Sequence, residues 1–282
     1  MIKSYINLIK PGIVFANIFS LLGGFYFSSS YKYNIYYLLI VVCATICVIS
    51  SSCIFNNIID IDIDKNMSRT KNRVLVQSKK YLLHIKFFGI FLFLLSIFIF
   101  LNYVNFLSCV ISCFAFFIYV IVYSYYMKRV SMYSVIIGSI SGAIPPVIGY
   151  CSITNAIDLK VFFLFLIFII WQIPHSYSIF IFRNHDYYDA CLPTIVYIKG
   201  VSRTLKEIIF YIFLFCIFSY LFFFLSYISF LCFLFIFSLG LVWLFIACMQ
   251  YFFLYNLHLS RLLFYWSIIV IMSLNFVLIF KN

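Results

Sequence analysis

The chain has 282 residues, 66% of them hydrophobic and only 9% charged, with a formal net charge of +12. Together with a mean hydropathy of +1.15, this excludes a soluble globular domain and indicates an integral membrane protein. The excess of positive charge does not signal nucleic acid, because the basic residues are sorted by membrane side rather than gathered in a patch.

Apolar runs predict nine spans, at roughly 12–29, 35–57, 82–101, 104–126, 132–150, 160–182, 207–227, 229–252 and 261–280. They fill the sequence, so residues 1–282 are read as one all-α, polytopic membrane domain. The first span contains Gly23-Gly24 but no small-residue cleavage site, and further spans follow it, so it reads as a span rather than a removed signal. With the N-terminus cytoplasmic, 16 of the 19 basic residues fall on the inner side, leaving Lys32, Lys160 and Lys281 outside. The 38 Phe and 24 Tyr reflect compositional drift, so a lone aromatic carries little meaning. Ten scattered cysteines show no CxxC or Cys/His metal spacing and read as small buried hydrophobes.

The second span runs out in Asn56-Asn57-Ile58-Ile59-Asp60-Ile61-Asp62-Ile63-Asp64, followed at once by Lys65, Arg69, Lys71 and Arg73. Asn56, Asp60 and Asp64 stand at i, i+4 and i+8, on one face of a helix, with Asp62 on the opposite face. Such a face can offer Mg²⁺ one or two carboxylates, with water and a substrate phosphate completing the octahedron. The plainer reading is a solvated loop start paired with Lys65 and Arg69. Arg69 and Arg73 are i, i+4 and, if that stretch is helical, form a two-pronged fork for a diphosphate. Lys128-Arg129, from a third inner loop, adds charge or simply marks topology.

The fifth span carries Gly138 and Gly142 at GxxxG spacing, then Pro145-Pro146, which should kink or break it. The sixth contains Trp171-Gln172-Ile173-Pro174-His175-Ser176-Tyr177 and ends at Arg183, with Asp186 and Asp189 just beyond. His175 lies eleven residues, nearly three turns, before Asp186, so a regular helix puts both on one face. It could ligate iron, donate a hydrogen bond or act as a base; it could equally be a helix–helix hydrogen bond. The two inner loops, about 58–81 and 183–206, both begin with acids and continue with basic residues, and long loops in a compact membrane protein are usually functional.

These residues resemble the UbiA-type intramembrane prenyltransferases, and within them the heme-farnesylating branch. The resemblance rests on Lys10-Pro11-Gly12-Ile13, Asn56-x-x-x-Asp60-x-x-x-Asp64, Met67-Ser68-Arg69-Thr70-x-x-Arg73, Tyr123-Ser124-x-x-Met127-Lys128-Arg129, Gly142 to Gly149, Trp171 to Tyr177 and Arg183-x-x-Asp186-Tyr187. It covers about residues 8–205; the last three helices are generic.

The resemblance implies nine helices around a central cavity open to the membrane. It implies Mg²⁺ held by Asn56, Asp60, Asp64 and Asp186, and farnesyl diphosphate bound by Arg69 and Arg73. Lys128, Arg129 and Arg183 are added here as diphosphate contacts on their charge. It places His175 near heme b, with Asp60, Asp64 and His175 as the catalytic set. Heme b is then a substrate rather than a cofactor, and the product is heme o, with a terminal oxidase assembly downstream. The setting implied is a bacterial cytoplasmic (inner) membrane with the active-site loops inside and the lipid bilayer as solvent; no nucleic-acid partner is expected. Three departures stand out: Asn57 occupies a position often Asp in the wider family, Val74 replaces an expected proline, and Asp189 matches no family acid. Two alternatives stay open from the residues: a prenyltransferase for a quinone-type aromatic acceptor, and a cation or metabolite transporter with carboxylates in its pathway.

Overall fold

The computed structural model describes residues 8–28, 34–78, 80–253 and 256–280. Lys3, Lys32, Lys79 and Lys281, which entered the charge count, lie outside them. Among the described residues nine helices are long and apolar enough to cross a membrane: Pro11–Ser28, Ile35–Ile59, Leu82–Tyr103, Phe106–Val130, Ser134–Thr154, Leu159–Phe182, Ile195–Phe224, Phe230–Phe252 and Leu257–Ile279, here spans 1 to 9. No strand occurs among them. In hydrocarbon every backbone group must be bonded within its own segment, which leaves helices as the solution for such runs.

Most boundaries fall within a few residues of expectation, but span 7 begins a dozen residues early, at Ile195. Gly200 (φ 76°, ψ 169°) breaks the helix there, so residues 195–199 form a short arm before the main rod. Hydropathy alone missed this arm because Lys199, Arg203 and Lys206 lower the average of a stretch that is nevertheless helical. The inner loops also hold short helices, Ile61–Asn66, Val74–Gln77 and Asn184–Asp189.

Two spans are irregular. Span 5 breaks at Ala143 and resumes at Ile144, with the prolines in the first turn of the new segment, where a missing N–H costs nothing. Span 4 turns π-helical from Ile118 to Met127. Span 1 packs against the second half of span 5 and against span 9; span 6 packs against spans 5, 7 and 9, and span 2 against spans 3 and 4. Spans 2 to 5 and spans 6 to 9 thus pack as two groups, and span 1 touches both.

Small residues set the closest approaches. Ser51 Oγ donates to the Gly89 carbonyl at 2.7 Å and Ser96 Oγ to that of Ala44 at 2.9 Å, fastening span 3 to span 2. Span 3 turns Leu83, Phe87, Phe91, Leu94 and Phe98 outward to lipid. Spans 1 and 5 come nearer still: a Cβ on Gly24 would stand 1.9 Å from the Pro146 carbonyl oxygen, and one on Gly149 would stand 2.2 Å from that of Leu21.

Gly24→Ala is therefore expected to destabilise the protein by about 1–3 kcal/mol, the cost of overpacking. Gly12→Ala, at a site with nothing within 4 Å of a Cβ, should change stability by less than about 0.5 kcal/mol. Unfolding titrations in mixed micelles measure both; equal effects would contradict the packing described.

Candidate active site

Span 2 ends at Ile59, but its hydrogen-bond ladder runs on. Asp60 N–H donates to the Asn56 carbonyl at 2.9 Å and Asp64 N–H to the Asp60 carbonyl at 2.8 Å. Asn56, Asp60 and Asp64 thus keep a common face across the helix end, and all three are buried, Asp60 to 2% exposure. Asp62 turns the other way. It is exposed and accepts from Arg129 Nη1 at 2.5 Å and from Nη2 at 2.8 Å. That hydrogen bonding holds its carboxyl down to about 2.

Each buried acid has a cation. Lys128 Nζ donates to Asp60 Oδ2 at 2.6 Å, and Asn56 Nδ2 donates to the same oxygen at 2.8 Å. Asp60 Oδ1 is buried with no hydrogen-bond partner. Arg73 Nη1 donates to Asp64 Oδ2 at 2.5 Å. The π-helical stretch of span 4 is what delivers the inner surface of this site. Ser124 Oγ donates to the Tyr119 carbonyl five residues back at 2.8 Å and accepts from Asn56 Nδ2 at 3.0 Å.

Lys10 is the residue that spacing did not reveal. It takes a left-handed φ of 52° ahead of Pro11 and donates to Asn56 Oδ1. Asn57, the departure noted above, donates to the Leu8 carbonyl at 2.8 Å and so ties this N-terminal segment to span 2. Removal from water, helped by neighbouring Arg73 and Lys128, pushes the Lys10 ammonium down to about 8.

Lys10, Asn56, Asp60, Asp64, Arg69, Arg73 and Lys128 line one cavity of about 110 Å³. Tyr123, Phe180 and Tyr187 supply its aromatic wall, and Leu192 to Thr194 its far rim. Burial pushes the Tyr187 phenol up, so it stays a neutral hydrogen-bond donor. The volume is below the roughly 300–1,000 Å³ of a typical small-molecule site, so this conformation admits a charged head group and not a long tail beside it. Four cations against two buried acids make the cavity an anion site.

Several expectations need correction. Residues 67–73 are successive turns rather than a helix, held by Thr70 Oγ1 on the Asp64 carbonyl (3.1 Å) and by Thr70 N–H on that of Met67 (3.1 Å). Arg69 and Arg73 still share the cavity, but by loop geometry rather than an i, i+4 fork. Arg129 is committed to Asp62 and the Ile59 carbonyl (2.8 Å) and does not line the cavity. Arg183 lies over Phe182 and beside Asp186 at 3.8 Å, also outside the lining. Asp186 joins the two inner loops: its Oδ1 accepts from Ser68 Oγ at 2.6 Å and Ser68 N–H at 3.2 Å. It does not line the cavity, and no cluster of three acid, Cys or His ligands forms among the described residues.

His175 is separate from the acids. Span 6 ends at Arg183 and a new helix starts at Asn184, so the face expected to join His175 to Asp186 is interrupted. The imidazole packs against Trp171 (4.8 Å between ring centroids) and Phe264 (5.0 Å), with Nδ1 2.7 Å from Ser267 Oγ of span 9. Ser267 and Phe264 sit in the segment whose sequence was generic, and no motif distinguished them.

Residues 17–278 match the family model described as "UbiA prenyltransferase family". A protein named protoheme IX farnesyltransferase from Wigglesworthia glossinidia brevipalpis is 42% identical over 278 residues, covering 98% of this chain and 96% of that one. One of the same name from Pectobacterium atrosepticum is 46% identical over 220 residues, 77% of this chain and 73% of its own length. In three dimensions the chain resembles a UbiA homolog from Archaeoglobus fulgidus solved with GPP and Mg²⁺, with a TM-score of 0.74 at 16% identity, covering 98% of this chain and 99% of the other.

Lys128→Met should leave Asp60 buried without its cation and cost about 3–5 kcal/mol in the metal-free protein. Adding Asp60→Asn to that variant should recover most of the loss. Detergent unfolding of the four proteins in a double-mutant cycle decides it; a loss below about 1 kcal/mol for the single variant would show the pair to be screened by solvent.

Proposed function

Since this chain belongs to the UbiA prenyltransferase family, we propose that the acid-and-cation cavity is the diphosphate end of its prenyl-transfer site. The protein is a multi-pass membrane enzyme that transfers the farnesyl group of farnesyl diphosphate to a vinyl group of heme b. Water adds to the acceptor, giving the hydroxyethylfarnesyl side chain of heme o, and diphosphate leaves. The observation that carries the site reading is the convergence of Lys10, Arg69, Arg73 and Lys128 on Asp60 and Asp64 in one cavity.

The residues fit Mg²⁺. Asp60 Oδ1 is a buried carboxylate oxygen without a partner, and a second carboxylate and an amide oxygen share its face. Asp60, Asp64 and Asn56 would hold the ion, with the Lys10 ammonium moving off Asn56 Oδ1. When bound, Mg²⁺ supplies positive charge against the diphosphate oxygens. Arg69 and Arg73 bind those oxygens as planar donors, Lys10 and Lys128 as point charges. These cations favour breaking the farnesyl C1–O bond, because the negative charge of the leaving diphosphate develops where they already stand. Tyr123, Phe180 and Tyr187 exclude water from the allylic cation and offer it aromatic faces. Asp186 acts as a positioning residue, holding Ser68 and with it the turn that presents Arg69.

His175 is assigned to the heme side, in its aromatic slot on span 6. The cavity lies at the end carrying the long basic loops, and the positive-inside distribution supports reading that end as the cytoplasmic face, in a bacterial inner membrane. A membrane oxidase assembly is the expected consumer of heme o. The names of the relatives support heme over a quinone acceptor, and acids gathered at one end, rather than strung through a pore, weigh against a transporter.

In a strain lacking heme o synthesis, the wild-type chain should convert heme b to heme o, read by mass. Asp60→Ala and Asp64→Ala should lower that conversion at least about 100-fold, in line with loss of preorganised charge stabilisation, while membrane levels stay normal. Wild-type conversion by either variant would remove the acids from the mechanism. A prenylated quinone in place of heme o would revive the other acceptor.

A further inference from the structure

One residue of span 9, Ser267, holds the His175 imidazole through its hydroxyl and the stacked Trp171 through its carbonyl. Ser267 is fully buried. Its backbone carbonyl accepts from Trp171 Nε1 at 2.8 Å, and its Oγ lies 2.7 Å from His175 Nδ1. The same Oγ stands 2.5 Å from the Phe264 carbonyl oxygen. Two oxygens at that separation repel unless a proton lies between them, so the Ser267 hydroxyl hydrogen is directed at Phe264. A serine hydroxyl has one hydrogen to give and otherwise accepts. The Nδ1 contact must then run the other way, with Nδ1–H donating to Ser267 Oγ.

We propose that Ser267 is a positioning residue that fixes His175 as its Nδ1–H tautomer and so presents a bare Nε2 lone pair to the iron of the heme acceptor. Nε2 makes no hydrogen bond among the described residues. Trp171, stacked on the ring at an interplanar angle of 23°, and Phe264, tilted at 33°, set the imidazole plane. The hydrogen bond from Nδ1 both selects the tautomer and raises the basicity of Nε2, as outer partners of metal-binding histidines do. Spans 6 and 9 pack against each other here, so the ligand is set by the contact between them. This inference rests on the assignment of heme to His175 and deepens it.

The test uses the full chain, purified in detergent and titrated with heme b without prenyl diphosphate. The readouts are the Soret band and the iron–imidazole stretch of the ferrous complex by resonance Raman. Wild type should show a histidine-ligated heme, and His175→Ala should lose that signature. Ser267→Ala should bind heme about 10–100-fold more weakly, with the iron–imidazole stretch shifted to lower frequency. Ser267→Thr, which keeps the hydroxyl, should restore both. Should Ser267→Ala fail to fold, Ser267→Cys, a weaker acceptor of similar size, is expected to show the same frequency shift. Wild-type affinity and stretch in the folded Ser267 variants, with His175→Ala still deficient, would overturn the role of Ser267 and leave the heme assignment standing. A wild-type protein without histidine-ligated heme, or His175→Ala with an unchanged spectrum, would overturn both.

Discussion

A carboxylate with 2% of its surface exposed at the end of an apolar helix is costly to bury unless cations reach it. Asp60 imposes that demand, and the inner end of the protein is organised by the answer. The N-terminal segment brings in Lys10, the loop after span 2 folds back to offer Arg73 to Asp64, and the end of span 4 supplies Lys128. None of these would justify its position alone. Together they leave a site whose cations exceed its acids, and an anion reaching it would meet charges already in place rather than charges that must be gathered. The ground state of the empty protein and the binding of an anionic ligand thus draw on the same side chains.

How much of this was legible in the sequence depends on how local the governing interaction is. The nine spans follow from hydropathy, because lipid imposes its condition on every residue of a run. The Asn56, Asp60, Asp64 face follows from helical period, and Asp62 falls opposite for the same reason. Lys10 was invisible as a site residue because its contact with Asn56 crosses 46 positions of sequence. Arg129 looked like an anion ligand beside Lys128, yet adjacent helical positions point apart, and Arg129 went to Asp62. Asp186 was read as a ligand from its family position, whereas its place is decided by Ser68, 118 residues away. Ser267 could not be singled out at all: a serine in an apolar helix acquires meaning only from what faces it.

Span 6 carries both an edge of the charged cavity and the aromatic slot of His175. Phe180 lines the charged cavity, while His175 stands five residues earlier, about 7.5 Å along the axis. The polar rim and the aromatic slot are therefore little more than one helical turn apart, on one rod. Span 9, the least informative stretch to read, supplies the other wall of the slot through Phe264 and Ser267. Its sequence is generic because most of it answers only to lipid and packing.

The π-helical stretch of span 4 has a consequence for how this chain can change over time. Ser124 and Lys128 face the acids because the backbone between Ile118 and Met127 is wound wider than an α-helix. Rewinding that segment as an ordinary α-helix, with its residue count unchanged, would turn everything beyond it about the helix axis. Lys128 would then swing away from Asp60, and Ser124 away from Asn56, with composition and hydropathy almost untouched. Span 3, which faces lipid along most of its length, can absorb side-chain drift toward Phe and Ile freely. Span 4 tolerates the same drift only while that winding is kept, so its backbone is under stricter constraint than its letters.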